Sequence, residues 1–135
     1  MQINKIDDDI SVSPQIVSTD IPVIAQAGFK TIICNRPDGE ESGQPIYSEI
    51  EDAAKEAGIK IIYQPLNGKQ VTDEDANLFG NLLNSAEKPV FAYCRTGTRC
   101  TVLWCLANSE QLSMSEILAK ASAAGYDMSG LAARL

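Results

Sequence analysis

The chain has 135 residues, 44% of them hydrophobic and 21% charged, which suits one globular domain over residues 1–135 with a single substantial core. A net charge of −7 supplies no basic footprint, so neither nucleic acid nor an anionic membrane is an expected partner. The complete lack of His excludes Ser-His-Asp and Cys-His catalysis and any His-ligated zinc site.

The four cysteines, Cys34, Cys94, Cys100 and Cys105, do not have paired metal-ligand spacing, and the sequence calls for no metal or cofactor. Met1 to Ile10 contains three consecutive Asp and does not read as a leader, and no apolar run approaches a membrane span. A cytoplasmic protein with reduced thiols is the expectation. Nothing in the sequence sets the oligomeric state.

In chain order, Ile3 to Val12 reads as one or two short strands interrupted by Asp7-Asp8-Asp9, an acidic run best taken as a solvated turn. Ser13-Pro14-Gln15 is a loop. Thr19 or Asp20 caps a helix with Pro22 in its first turn; Val23, Ile24 and Ala27 give a partial apolar face, and Gly28 stops it. Thr31 to Cys34 is a short β-rich run and a central strand. The loop Asn35-Arg36-Pro37-Asp38-Gly39-Glu40-Glu41 leaves its carboxyl end, where open α/β sheets place their ligands. Arg36 is a candidate for holding an anion. Asp38, Glu40 and Glu41 are candidates for supplying a proton, with Asp38 nominated, although Pro-Asp-Gly is also an ordinary turn signal.

Ile46, Ile50, Ala53, Ala54 and Ala57 then have helical spacing up to Gly58, and Ile59 to Tyr63 is another strand, followed by a loop from Pro65 to Gly68. Thr72 caps a helix whose first turn holds Asp73, Glu74 and Asp75, carboxylates that complement the positive helix end better than they suit catalysis. Leu78, Phe79, Leu82 and Leu83 are its expected buried face. Val90 to Tyr93 forms a strand running into Cys94, and a further helix carries Val102, Leu103, Leu106 and Ala107, with Trp104 and Cys105 at its packed surface. Ser113 to Glu116 is a capping box before Ile117, Leu118 and Ala121, and Gly125 closes that last long helix. Strands alternate with helices throughout. That order predicts a three-layer α/β fold, a mainly parallel sheet of four to five strands covered on both faces.

The chemistry concentrates in Cys94-Arg95-Thr96-Gly97-Thr98-Arg99, between a strand and a helix. Gly97 permits a tight turn that aims backbone N–H groups inward, and with the helix N-terminus they form an anion cradle to which Arg95, Thr96 and Thr98 belong. The same field depresses the Cys94 pKa and makes it a candidate nucleophile, with Arg99 as the oxyanion clamp. Cys100 is either core filler or a disulfide partner of Cys94 under oxidation.

These residues, with Cys34 to Glu41, Ser13-Pro14-Gln15 and Ala124-Gly125-Tyr126-Asp127, resemble the beta-lactamase hydrolase-like, DUF442 phosphatase-like family, which is related to cysteine-dependent protein tyrosine phosphatases. The resemblance implies a phosphatase-like α/β fold, Cys94 as nucleophile, Arg99 on the anion, and Gln15 facing the site. Three departures from the usual phosphatase pattern stand out: Tyr93 where His precedes the Cys, four residues rather than five between Cys and Arg, and no acid in Gln64-Pro65-Leu66-Asn67-Gly68. The expected function is hydrolysis of a phosphate monoester, of phosphotyrosine or aryl type, through a cysteinyl-phosphate. The rivals are rhodanese-like sulfur transfer on a Cys94 persulfide and a non-catalytic phosphate-binding module. Each takes a small anionic or phosphorylated partner.

Overall fold

In the computed structural model, which describes residues 1–66 and 70–135, five strands form one sheet in the order β1-β2-β5-β3-β4. β1 (Asn4–Lys5) and β2 (Ile10–Ser13) make an antiparallel hairpin, while β2, β5 (Val90–Tyr93), β3 (Thr31–Cys34) and β4 (Lys60–Tyr63) are parallel. The acidic triplet is the hairpin turn: Asp7 Oδ1 accepts from the amides of Asp9 at 2.8 Å and Ile10 at 3.1 Å. Register places Ser13, Tyr93, Cys34 and Tyr63 side by side at the carboxyl ends of the four parallel strands. The loops leaving β5 and β3 therefore start next to each other.

Burial is two-sided, as parallel strands require. One face of the sheet, with Ile10, Val12, Ile33, Val90 and Ala92, packs against α3 (Asp73–Ser85), α4 (Thr98–Ala107) and α5 (Met114–Ala123). The other, with Ile32, Cys34, Phe91 and Tyr93, packs against α1 (Ile21–Gln26) and α2 (Tyr47–Ala57). Short 3-10 segments at Ser18–Asp20 and Ser129–Arg134 complete the fold. Among the described residues, no helix is long and apolar enough to cross a membrane.

Several local expectations are refined. Asp20 turns its carboxylate back onto the Val17 amide at 2.9 Å instead of capping α1, whose buried residues are Ile21 and Ile24, leaving Val23 exposed. On α3 the buried residues are Ala76, Phe79 and Leu83, one stripe at helical spacing, which turns Leu78 out to solvent. Thr72 caps that helix as expected: Thr72 Oγ1 accepts from the Asp75 amide at 3.1 Å and Asp75 Oδ2 from the Thr72 amide at 3.0 Å. Asp73 pairs with Arg134 at 3.1 Å. The loop expected from Pro65 to Gly68 is described only through Leu66; Asn67 and Gly68 lie outside the described residues.

α4 is the most buried helix, with Cys100, Thr101, Leu103, Trp104, Cys105 and Leu106 all inside. Trp104 is 1% exposed. Trp104→Ala is expected to destabilise the fold by about 3–5 kcal/mol in urea unfolding, and Thr72→Ala by only about 1 kcal/mol, because the first empties a packed volume and the second removes one cap.

Candidate active site

The nucleophile candidate sits where a buried strand hands over to a buried helix. Cys94 follows β5 with its amide on the Ser13 carbonyl at 3.3 Å, and the chain turns at Gly97 (φ 92°) to start α4 one residue later. An L side chain resists that backbone conformation. The space is closed as well, because a Cβ on Gly97 would collide with the Tyr126 phenol. Tyr126 Oη donates to the Thr96 carbonyl at 3.0 Å and accepts from Asn4 Nδ2 at 2.9 Å, so the loop is pinned from outside.

Inside the loop, the Gly97 amide donates to Cys94 Sγ at 3.1 Å. Cys94 is 1% exposed, a burial that by itself disfavours a thiolate. Hydrogen bonding overrides it: the Cys100 thiol contributes most, followed by the amides of Cys100, Gly97 and Thr96, and the Cys94 pKa falls to about 5. Burial pushes the Cys100 thiol up, opposite in direction to Cys94.

Cys100 Sγ also lies 3.2 Å from Asn35 Oδ1. A single S–H serves one acceptor at a time. In the structure that donation goes to Asn35 Oδ1, and the Cys94 sulfur is the competing acceptor whose ionised form would draw it. Asn35 is itself fixed, since its Nδ2 donates to the Gln64 carbonyl at 3.0 Å and Gln64 Nε2 donates to the Asp75 carbonyl at 3.0 Å. The buried Cys100 packs in the core and also donates its thiol proton to Asn35. Asn35, Gln64 and Cys100 were not singled out for this role from sequence, although a buried Asn directly after a central strand is a detectable signal.

The other nominated residues divide into two groups. Thr96 and Thr98 bond to each other through their hydroxyls at 2.9 Å instead of to the thiolate. Gln15 does border the site: its amide donates to the Arg95 carbonyl at 3.2 Å and its Oε1 accepts from Arg36 at 3.1 Å. Arg36 is buried, with Nε on Glu40 at 2.9 Å and Nη2 on Glu41 at 2.8 Å, so its charge is engaged by carboxylates and not open to a solute. Arg95 is largely exposed and reaches Glu41 at 3.2 Å. Arg99 forms a two-pronged pair with Glu40, at 2.8 and 2.7 Å, which holds Glu40 below the usual carboxylate range and raises Arg99 further. Asp38 is exposed and its Oδ1 accepts from the Tyr47 amide at 2.8 Å, capping α2. The carboxylate brought to Arg99 is Glu40.

A separate groove of about 740 Å³ between α1 and α2, lined by Pro22, Ala25, Ala53 and Glu56, contains none of these residues. Size does not locate the chemistry here. The sheet and its two carboxyl-edge loops define a phosphatase-like α/β domain.

The comparisons carry this to a family. Residues 2–112 match the model of the beta-lactamase hydrolase-like protein, phosphatase-like domain, and the chain belongs to that family. A beta-lactamase hydrolase-like protein of Agrobacterium fabrum is 34% identical over 130 residues, 95% of this chain and 30% of the relative; the chain thus spans about a third of the curated relatives it matches. A crystal structure of a candidate phosphatase from Neisseria meningitidis is 41% identical with a TM-score of 0.88, covering 97% of this chain and 94% of that one. The TpbA protein of Pseudomonas aeruginosa, solved with phosphotyrosine, shares the fold at 13% identity and a TM-score of 0.68, over 91% of this chain and 74% of its own.

Alkylation of Cys94 by iodoacetamide is expected to follow thiolate formation, rising with pH to a midpoint near 5 instead of the ordinary thiol value of 9.0. Cys100→Ala is expected to move that midpoint up and Cys100→Ser to leave it nearer the wild type, since the hydroxyl still donates; mass spectrometry of the labelled peptide reads both. Gly97→Ala is expected to cost about 1–3 kcal/mol in urea unfolding through the strained φ and the Tyr126 collision.

Proposed function

We propose that the chain is a cysteine-dependent phosphate monoester hydrolase. The observation that carries this reading is a buried Cys94 just before a helix N-terminus, with the Gly97 amide donating to its sulfur at 3.1 Å, its pKa drawn down to about 5, and Arg99 in the first turn of that helix. The Cys94 sulfur attacks phosphorus in line, an S–P bond forms, and the P–O bond to the leaving group breaks. Loop amides and Arg99 stabilise the equatorial oxygens of the transition state. Water then attacks the cysteinyl-phosphate, releasing inorganic phosphate and restoring the thiolate.

The leaving oxygen needs a proton unless it is already a good anion. Asp38 has one oxygen on the start of α2, and Glu40 is bound by two guanidinium groups. The paired guanidinium groups hold Glu40 ionised, and the Asp38 oxygen is already engaged by a backbone amide. Aryl phosphates, phosphotyrosine included, are therefore the substrate class that fits, and alkyl esters the class that does not. Purified protein is expected to hydrolyse an aryl phosphate in chelator and reductant, with Cys94→Ser at background; equal activity of the Ser variant would overturn the reading.

Sulfur transfer is the second reading, favoured by the four-residue spacing from Cys94 to Arg99. The thiolate would attack the sulfane sulfur of thiosulfate, break its S–S bond and release sulfite, leaving a Cys94 persulfide. Intact-mass measurement after thiosulfate treatment reads it directly: one added sulfur that Cys94→Ser lacks supports it, and no adduct removes it.

A further inference from the structure

Glu40 and Arg36 are an unusual pair for the rim of an anion site. The side chain of Arg36 is 3% exposed, and a guanidinium taken that far from water is costly unless its partners are well placed. It has three: Gln15 through Nη1, Glu40 through Nε and Glu41 through Nη2. Glu40 is thereby held from below at Oε1, and its own amide donates to Gln44 Oε1 at 3.1 Å. A carboxylate fixed in this way presents both oxygens to Arg99 in one orientation.

The donors of Arg99 can be counted. A guanidinium has five N–H groups in a rigid fork. Glu40 takes the end of the group through one N–H each on Nη1 and Nη2, and the Leu66 carbonyl takes the second N–H of Nη1 at 3.3 Å. The two that remain are on Nε and on the outer side of Nη2, and neither has a partner among the described residues. They lie parallel along one edge of the plane, which is the geometry that grips two oxygens of a phosphate.

We infer that Glu40, locked by the buried Arg36, is the positioning residue that fixes the free edge of Arg99 for anion binding, so that the site is built jointly by the loops after β3 and β5. The inference deepens the proposed function and rests on the Cys94 loop being an anion site. It also gives the four-residue spacing a structural answer. Arg99 belongs to the first turn of α4, and an external carboxylate supplies the orientation that the short loop does not.

The alternative sign is equally concrete. If Glu40 merely occupied Arg99 until substrate arrived, removing its charge would strengthen anion binding.

The test uses the full chain and inorganic phosphate, scored by protection of Cys94 from iodoacetamide at neutral pH, a readout independent of turnover. Glu40→Gln keeps the shape and one acceptor and lies at a partly exposed position, 30% for the side chain. It is expected to weaken phosphate protection about tenfold, the scale of one charge-assisted hydrogen bond, and Glu40→Ala more, while the pH midpoint of alkylation without phosphate stays near that of the wild type. On an aryl phosphate, the same variants are expected to raise KM and lower kcat together. Unchanged or tighter phosphate protection in Glu40→Gln would overturn the positioning role alone. A displaced alkylation midpoint would also overturn it, by showing that the Cys94 loop itself has shifted. Failure of phosphate to protect the wild type would overturn the anion-site reading and this inference with it.

Discussion

A buried sulfur ringed by hydrogen-bond donors is the constraint to which the rest of this molecule answers. Cys94 is almost without solvent, and burial alone would keep it protonated. What lowers its pKa to about 5 is a set of donors: the Cys100 thiol, the Gly97 amide at 3.1 Å and further amides of the turn. These donors converge only if the backbone reverses within four residues and then starts a helix. That requirement explains why the turn residue is Gly97, why Tyr126 and Asn4 close over it, and why α4 is packed deep in the core.

Around that centre the polar interior is fully connected among the described residues, where no buried side-chain N or O atom lacks a partner. The chain of contacts from the Asp75 carbonyl through Gln64 and Asn35 to Cys100 ties the start of α3 to the first turn of α4. Such a network rigidifies when every member is satisfied and is costly when one is not. A second network, of Arg36, Glu40, Glu41, Arg95 and Arg99, covers the rim. The two meet at adjacent residues, Asn35 and Arg36, immediately after β3. One short segment therefore addresses both Cys100, beside the Cys94 loop, and Arg99 through Glu40.

Much of the local architecture could be read in advance because it depends on neighbours in sequence. The capping boxes at Thr72 and Ser113, the Asp7 turn and the glycine stops at Gly58 and Gly125 involve partners within five residues. Leu78 was misplaced because apolar character was taken for burial, whereas the α3 stripe is decided by which face meets α4. Asp38 illustrates the same limit for chemistry. Pro-Asp-Gly signals a turn, but whether its carboxylate caps a helix or faces a ligand depends on where α2 begins.

By itself, the sequence determined the alternation of strands and helices, the thiol followed by a Gly-containing basic loop, and the exclusion of histidine chemistry, because each is carried by residue type or short-range spacing. Tertiary structure alone decided which groups touch. Arg99 and Glu40 are 59 positions apart, and Cys100 and Asn35 are 65 apart. They meet because parallel pairing of β3 with β5 puts Cys34 beside Tyr93, so that the next residues of both strands emerge at one edge. No periodicity along the chain encodes that juxtaposition; it follows from strand order, which is settled by packing two hydrophobic faces at once.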